Sequence, residues 1–188
     1  MNDEQLVAAI LAGHQDEFKQ LVERYQGRLV NYLYRMLRNV DEAHDLAQDV
    51  FIKVYQALDS FNPRYRFSTW LFRVAKNAAI DHLRKKRMKL VSLNRQDPDS
   101  GEPQDWDLPS PDRGPYGELR NLERGDAIQE AIEGLPWEYR ELILMRHYGE
   151  LSYDEIATLK EMPLGTVKNK LFRGRQMLKQ KLASYLTD

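Results

Sequence analysis

Apolar positions recur along this chain at steps of three and four, the spacing of one helix face, and no strand pattern or internal repeat stands out. Residues 3–12 predict a short helix. Phe18, Leu21, Val22, Tyr25, Leu29, Tyr32, Leu33, Met36 and Leu37 then define one long amphipathic helix that stops near Asn39. Asn39-Val40-Asp41-Glu42 has the form of a capping box, in which the Asn39 side chain accepts from the Glu42 amide and the Glu42 side chain reaches back. The helix it opens carries Ala43, Leu46, Ala47, Val50, Phe51, Val54 and Leu58 on its apolar stripe. Asp45, Gln48, Asp49, Lys53 and Gln56 fall on another face. Phe61-Asn62-Pro63 interrupts the pattern, because proline lacks an amide and restricts the residue before it, so 61–67 predicts a loop. Ser68 is placed to cap the next helix, about 69–89, where Trp70, Leu71, Val74, Ala75, Ala78, Ile80 and Leu83 are available for packing.

From 91 to 117 the periodicity vanishes, and five of the eight prolines sit there with three glycines and six acids. Such a stretch cannot bury enough apolar surface to offset chain entropy, which predicts an extended, flexible acidic linker. Trp106, Leu108 and Tyr116 are its apolar exceptions, suited to local docking. Helical spacing resumes at about Glu118 and breaks at Gly134-Leu135-Pro136, with Pro136 expected in a first turn. A helix through Tyr139, Leu142, Ile143 and Met145 follows, ending near Gly149. Ser152-Tyr153-Asp154-Glu155 is a second capping box, opening a short helix, and the last helix begins around Pro163. The fold class is therefore all-α, as two small helical domains, 1–90 and 118–188, joined by the linker 91–117.

The net charge of −1 conceals strong local polarity. Residues 1–90 carry +4, 91–127 carry −5, 128–162 carry −5 and 163–188 carry +5, and such asymmetry says more about partners than the sum does. The absence of cysteine removes disulfides, thiolate nucleophiles and thiolate metal sites. The acidic N-terminus and the lack of a long apolar run predict neither a signal peptide nor a spanning helix, hence a cytoplasmic protein without direct membrane insertion. His14, His44, His82 and His147 are scattered, with no spacing for a metal and no evident acid-base pair. No catalytic residue, metal or cofactor is expected.

Two stretches carry nucleic-acid chemistry. Phe61, Tyr65, Phe67, Trp70 and Phe72 stand directly ahead of a cationic run in which seven Lys/Arg between 73 and 89 face one acid, Asp81. Rings stack on unpaired bases and cations neutralise phosphates, so this mixture suits a single-stranded nucleic acid. Five aromatics in twelve residues exceed what one face of one helix buries, although some must be core and the run 84–89 could be a solvated helix end. The second stretch is the pair of helices 152–160 and 163–183, joined by about three residues, with the dimensions of a helix-turn-helix. Lys168, Asn169, Arg173, Gln176 and Lys179 spread over its exposed part, whereas Val167, Leu171, Leu178 and Leu182 face the core. Gly165 leaves room for a phosphate in the first turn and Thr166 offers a hydroxyl there. Lys, Asn and Arg are the residue types that read guanine and adenine edges in a major groove. A basic helix with a merely solvated face is the plainer alternative.

In order along the chain, DEAHDLAQDVFIKVYQALDSF, FSTWLFRVAKNAAIDHLRKK, LPWEYRELILMRHYGELSYDEIA and PLGTVKNKLFRGRQMLK resemble regions 2.1–2.2, 2.3–2.4, 4.1 and 4.2 of the small extracytoplasmic-function (ECF) bacterial RNA polymerase sigma factors. The resemblance covers nearly the whole length. It implies that Asp45, Gln48, Asp49 and Lys53 dock on the clamp helices of the polymerase β′ subunit, with the β flap as a further contact. It implies that the loop 61–67 holds a flipped base of the promoter −10 element while Asn77 and its neighbours read the −10 region during melting. The candidate −10 and melting set is then Phe61, Arg64, Tyr65, Phe67, Ser68, Trp70, Arg73, Lys76, Asn77, Arg84 and Lys85. Gly165, Thr166, Lys168, Asn169, Phe172, Arg173 and Arg175 form the candidate −35 set. Promoter DNA, core polymerase and a cognate anti-sigma factor, commonly membrane-associated, are the implied partners. The rival readings are a stand-alone helix-turn-helix regulator, with 1–90 as a sensor or dimerisation module, and a nucleic-acid-processing enzyme.

Overall fold

The computed structural model describes residues 1–93 and 127–183. Most of the expected linker, with Trp106, Leu108 and Tyr116, and the expected helical restart at 118 lie outside the described residues.

Helix α1 (Asp3–Leu11) is opened by a complete capping box between Asn2 and Gln5, and it buries Leu6, Val7 and Ile10. A short 3-10 turn leads into α2 (Phe18–Leu37), which ends where Arg38 takes the left-handed conformation at φ 56° and its amide bonds Tyr34. Helix α3 (Val40–Gln56) starts at the expected cap, since the Asn39 side chain accepts from the Glu42 amide at 2.9 Å. The reciprocal half of that box does not form. Instead the Glu42 carboxylate turns to His82 at 2.9 Å and Lys86 at 2.8 Å on α4 (Phe67–Leu93), so a residue expected to serve its own helix end ties two helices together. Partial burial alone would raise the Glu42 carboxyl, but the bonds from Lys86 and His82 outweigh it and hold the group below the usual carboxylate range.

Helix α4 corrects two expectations. It begins at Phe67, so Ser68 lies inside its first turn instead of capping it, and it runs to Leu93 rather than about 89. No glycine or proline stands between Ser68 and Pro98 to stop it, and adding a residue to an existing helix needs no new nucleus.

The C-terminal unit comprises α5 (127–133), α6 (Trp137–His147), α7 (Tyr153–Lys160) and α8 (Leu164–Ala183). Pro136 sits at the N-cap of α6, one position earlier than expected. Helix α7 carries the complete Ser152–Glu155 capping box and ends at Glu161, again left-handed at φ 52°. Close approach of α6 and α8 depends on Gly174, where a Cβ would meet Ile143 and Tyr139 side chains at 3.3 Å.

The two units do not stand apart. Their buried residues form one apolar core running from Leu6 to Leu171. Tyr32 and Phe72 meet edge to face at its centre, with centroids 5.3 Å apart, and burying an aromatic side chain of this size contributes roughly 1.5–3 kcal/mol. Gly149, just beyond α6, lies against the same Phe72, and a Cβ there would stand 3.2 Å from the ring and 2.8 Å from the Met145 carbonyl oxygen.

Candidate nucleic-acid interface

Helix α8 is positioned from beneath. Val167, Leu171 and Gly174 are buried, which leaves Lys168, Asn169, Phe172, Arg173, Arg175, Gln176 and Lys179 in solvent. Phe172 is an aromatic with 56% of its surface open. Its signal is positional, since it stands four residues after Lys168 and three after Asn169 on the face that the residue pattern marks as basic. Lys170, in contrast, is drawn aside by Glu138 on α6, and Arg175 donates to the Tyr153 hydroxyl at 3.1 Å. At the first turn the space around Gly165 is open, with nothing within 4 Å of a Cβ built there, and Thr166 is half-buried. Leu178 and Leu182, expected in the core, are half-buried.

The aromatic stretch divides differently from expectation. Phe61, Phe67 and Trp70 meet one another edge-on or tilted, with centroids 5.4 to 6.0 Å apart, and Tyr25 of α2 closes the cluster at 5.5 Å from Phe67. Phe61, Phe67 and Phe72 are buried. Phe61 and Phe67 are therefore corrected as stacking surfaces, because both are buried among other rings of the protein. What the loop presents is its tip, where Arg64, Tyr65 and Arg66 are exposed, Tyr65 at 48%. Trp70 is half-buried at the cluster's edge.

Beyond the loop, the candidate residues on α4 meet three fates. Asn77, Arg84 and Lys85 are exposed, although Arg84 leans on Asp81 at 2.8 Å, and Arg73 is half-buried. Lys76 is half-buried and lies 3.7 Å from Glu141 on α6. Ser68 is fully covered, its hydroxyl donating to Glu155 on α7 while Thr69 approaches the same oxygen at 3.4 Å, which removes Ser68 as a group open to a ligand in this arrangement. Burial alone would raise the Glu155 carboxyl, but bonds from Ser68 and Ser152 overcome it and hold the group below its ordinary value.

Asp45, Gln48, Asp49 and Lys53 are all exposed along α3. Sequence reasoning missed Ile52, which is 54% exposed in the same row, and Tyr55, 38% exposed beside it. Both flank an open groove with Phe18, Lys19 and Phe51. The available signal was phase, because Ile52 falls three residues after Asp49 and out of step with the buried Val50 and Val54.

Among the described residues no group of three or more His, Asp or Glu could hold a metal, and no helix is long and apolar enough to cross a membrane.

Comparison with known proteins gives these surfaces their context. Residues 21–88 match the sigma-70 region 2 model and residues 125–178 match the sigma-70, region 4 model. The chain is 36% identical to the ECF RNA polymerase sigma factor SigW of Bacillus subtilis, over 94% of each chain. It is 33% identical to the ECF RNA polymerase sigma-E factor of Escherichia coli K12, over 97% of this chain and 95% of that one. In structure it is similar to CnrH solved with the cytosolic domain of CnrY, at TM-score 0.71 and 23% identity over 97% of each chain. The sigma factor RpoE of Bartonella quintana, solved with the anti-sigma factor NepR, superposes at TM-score 0.66 and 23% identity, over 89% of this chain and 97% of that one. These two likenesses bear on the fold alone. A helix-turn-helix regulator standing by itself has no need of the region 2 match, and nothing in an enzyme's repertoire is called for. With both regions matched in order and relatives aligned over nearly the whole length, the chain belongs to the extracytoplasmic-function family of RNA polymerase sigma factors, promoter-recognition subunits that do no chemistry of their own.

Proposed function

We propose that three separate surfaces divide the work of this sigma factor. The exposed row of α3, Asp45, Gln48, Asp49 and Lys53 with Ile52 among them, docks on core polymerase. Helix α8 enters the major groove of the −35 element with Lys168, Asn169, Phe172, Arg173 and Arg175, and the open first turn at Gly165 and Thr166 takes a phosphate. On the −10 side, Arg64, Tyr65 and Trp70 meet an unpaired base, with Phe61 and Phe67 as the rigid wall behind them. Arg73, Lys76 and Asn77 follow the strand along α4, while Arg84 and Lys85 bind phosphates. The division runs 1–90 for polymerase and the −10 element, 91–117 as spacer, and 118–188 for the −35 element.

The observation that carries this reading is the outer face of α8. Five groups suited to base edges, phosphates and thymine methyls share it, and the carboxylate of Glu138 that reaches α8 bonds Lys170, a residue outside that set. Capture of a flipped base shifts the duplex toward the melted state, since stacking one base on a ring returns about 1–3 kcal/mol. Catalysis belongs to the polymerase.

The protein acts in the cytoplasm, and an anti-sigma factor is its natural regulator, as the complexes of CnrH with CnrY and of RpoE with NepR illustrate for those proteins. Run-off transcription with core polymerase tests the whole assignment. Promoter-dependent initiation is expected only when the chain is present and is expected to fall at least tenfold for Arg173→Ala. Specific binding of a promoter duplex by the chain alone, with no effect on transcription, would overturn it.

A further inference from the structure

One cation of α8 is turned away from the DNA-reading face. Thr166, Lys170 and Arg173 follow one another at steps of four and three, so they share a single ridge of the helix. Thr166 belongs to the open first turn, and Arg173 stands in solvent. Lys170 lies between them, yet its ammonium donates to the carboxylate of Glu138 in the first turn of α6 and stands 5.9 Å from the centroid of the Tyr139 ring. The pair sits at the rim of the unit, with 27% of the Lys170 side chain and 52% of the Glu138 side chain open to solvent. The bond from Lys170 is the main reason the Glu138 carboxyl lies below its ordinary value, and Arg173 acts through space in the same direction. Glu138 is therefore ionised at neutral pH, with two cations of one α8 ridge about it.

We propose that Glu138 is a positioning residue that limits the strength of the −35 contact, by withholding Lys170 from the DNA backbone so that α8 binds with one phosphate contact fewer than its ridge can supply. The inference rests on the assignment of α8 to the −35 element. A lysine on a phosphate adds affinity without regard to sequence, because every duplex presents the same backbone. Released, Lys170 would strengthen binding to a promoter and to all other DNA alike. Held by Glu138, it strengthens neither, and the contact depends more on the side chains that reach base edges. Since unrelated sites vastly outnumber a promoter, weaker attraction to the backbone shortens the time lost on them.

The packing of the two helices makes the restraint possible. Gly174 lets α6 approach α8 closely at Tyr139, and that approach brings the first turn of α6 to the flank of α8 where Lys170 lies. An acid at the start of α6 also suits the positive end of the helix dipole, which by itself would account for a carboxylate at 138. The dipole does not choose the direction of the side chain, however. Glu138 points across to α8 and takes the one lysine that stands between Thr166 and Arg173.

The test is the salt dependence of duplex binding by the full chain assembled with core polymerase, for the wild type, Glu138→Gln and the double variant E138Q/K170Q. Each variant is measured on a duplex carrying the −35 element and on an unrelated duplex of equal length. One phosphate contact changes the slope of log K against log salt by about 0.9, which is roughly a three- to fourfold change in affinity between about 50 and 200 mM. Glu138→Gln is expected to steepen the slope by up to about that amount and to tighten binding at low salt to both duplexes by the same factor. E138Q/K170Q is expected to lose more than half of the gain and to return to the wild-type slope. An acid that served only the α6 dipole would alter melting and leave the slope untouched. A wild-type slope for Glu138→Gln would overturn the restraint, and so would a double variant that keeps more than half of the gain, because Glu138 would then act as a repelling charge. A double variant with a slope shallower than wild type would also overturn it, since Lys170 would already be on a phosphate. The assignment of α8 fails by a different sign: Arg173→Ala binding the −35 duplex as tightly as wild type, whatever the slopes of the other two variants.

Discussion

Glu155 serves two structures at once, which makes its replacement informative. One oxygen accepts from the Ser152 amide at 2.9 Å and completes the capping box of α7, while the other receives Ser68 and stands 3.4 Å from Thr69. Glu155→Gln retains a side chain that serves the cap but replaces a charged acceptor by a neutral one, a loss of about 1 kcal/mol. Glu155→Ala removes the capping contact, about 1 kcal/mol, and leaves the two buried hydroxyls of α4 short of an acceptor, for about 3 kcal/mol in all. For a chain of this size that corresponds to a fall in Tm of roughly 6–12 °C for Ala and roughly 2–4 °C for Gln at neutral pH. The dependence on pH has a definite sign. A carboxyl held below its ordinary value of 4.5 stabilises the fold above that pH, and the contribution is lost as pH falls through the depressed folded value. The Tm difference between wild type and Glu155→Gln, measured by circular dichroism, should therefore be full at pH 7 and shrink below pH 4.5. Equal melting of the two proteins at pH 7, or a gap that persists unchanged into strong acid, would refute the account of this contact.

Gly149→Ala should destabilise the chain by about 1–3 kcal/mol in urea unfolding, because the added Cβ strikes a backbone carbonyl oxygen at 2.8 Å and the Phe72 ring at 3.2 Å. Phe172→Ala and Lys168→Ala should leave Tm unchanged, since both side chains are exposed, yet each should weaken binding to a −35 duplex in a gel-shift assay, by about 1–3 kcal/mol where a base is read. Asp49→Lys should likewise melt as wild type and lose affinity for core polymerase, with Ile52→Asp giving the same pattern in a pull-down with purified core. Tyr65→Ala should reduce open-complex formation, read by permanganate reactivity, without reducing duplex binding, about 1–3 kcal/mol being the stake for one stacked base.

The helices, their caps and most of their buried stripes were legible because each depends on residues within one turn of one another. Asn39 with Glu42 and Ser152 with Glu155 mark helix starts from four residues apiece, and the apolar stripe from Ala43 to Val54 is buried along α3, with Leu58 buried in the 3-10 turn after it. Expectations failed where a partner came from far along the chain. Glu42 left its own cap for His82 and Lys86, and Ser68 left the start of α4 for Glu155, since a charged or buried partner offers more than a terminal amide can. Aromatic crowding between Phe61 and Phe72 was misjudged for a related reason. One face of α4 could not bury five rings, but Tyr25 of α2 and Tyr32 beside it supplied two further walls, so the surplus went into the core and only Tyr65 remained plainly open.

Segment charges held a hint of the interdomain contact that spacing could not convert into pairs. The −5 of 128–162 and the +4 of 1–90 are the two sides of the interface, and the balance within each half is lopsided because the other half completes it. Pairs of this kind do more for pose than for stability. The desolvation of partly buried ions consumes much of their attraction, while a mismatched pose that left Glu141 or Glu155 unpaired would cost several kcal/mol. Glu141 and Glu155 of the C-terminal unit accordingly point inward against α4, when a domain meant only to present α8 to DNA would be free to leave them in solvent.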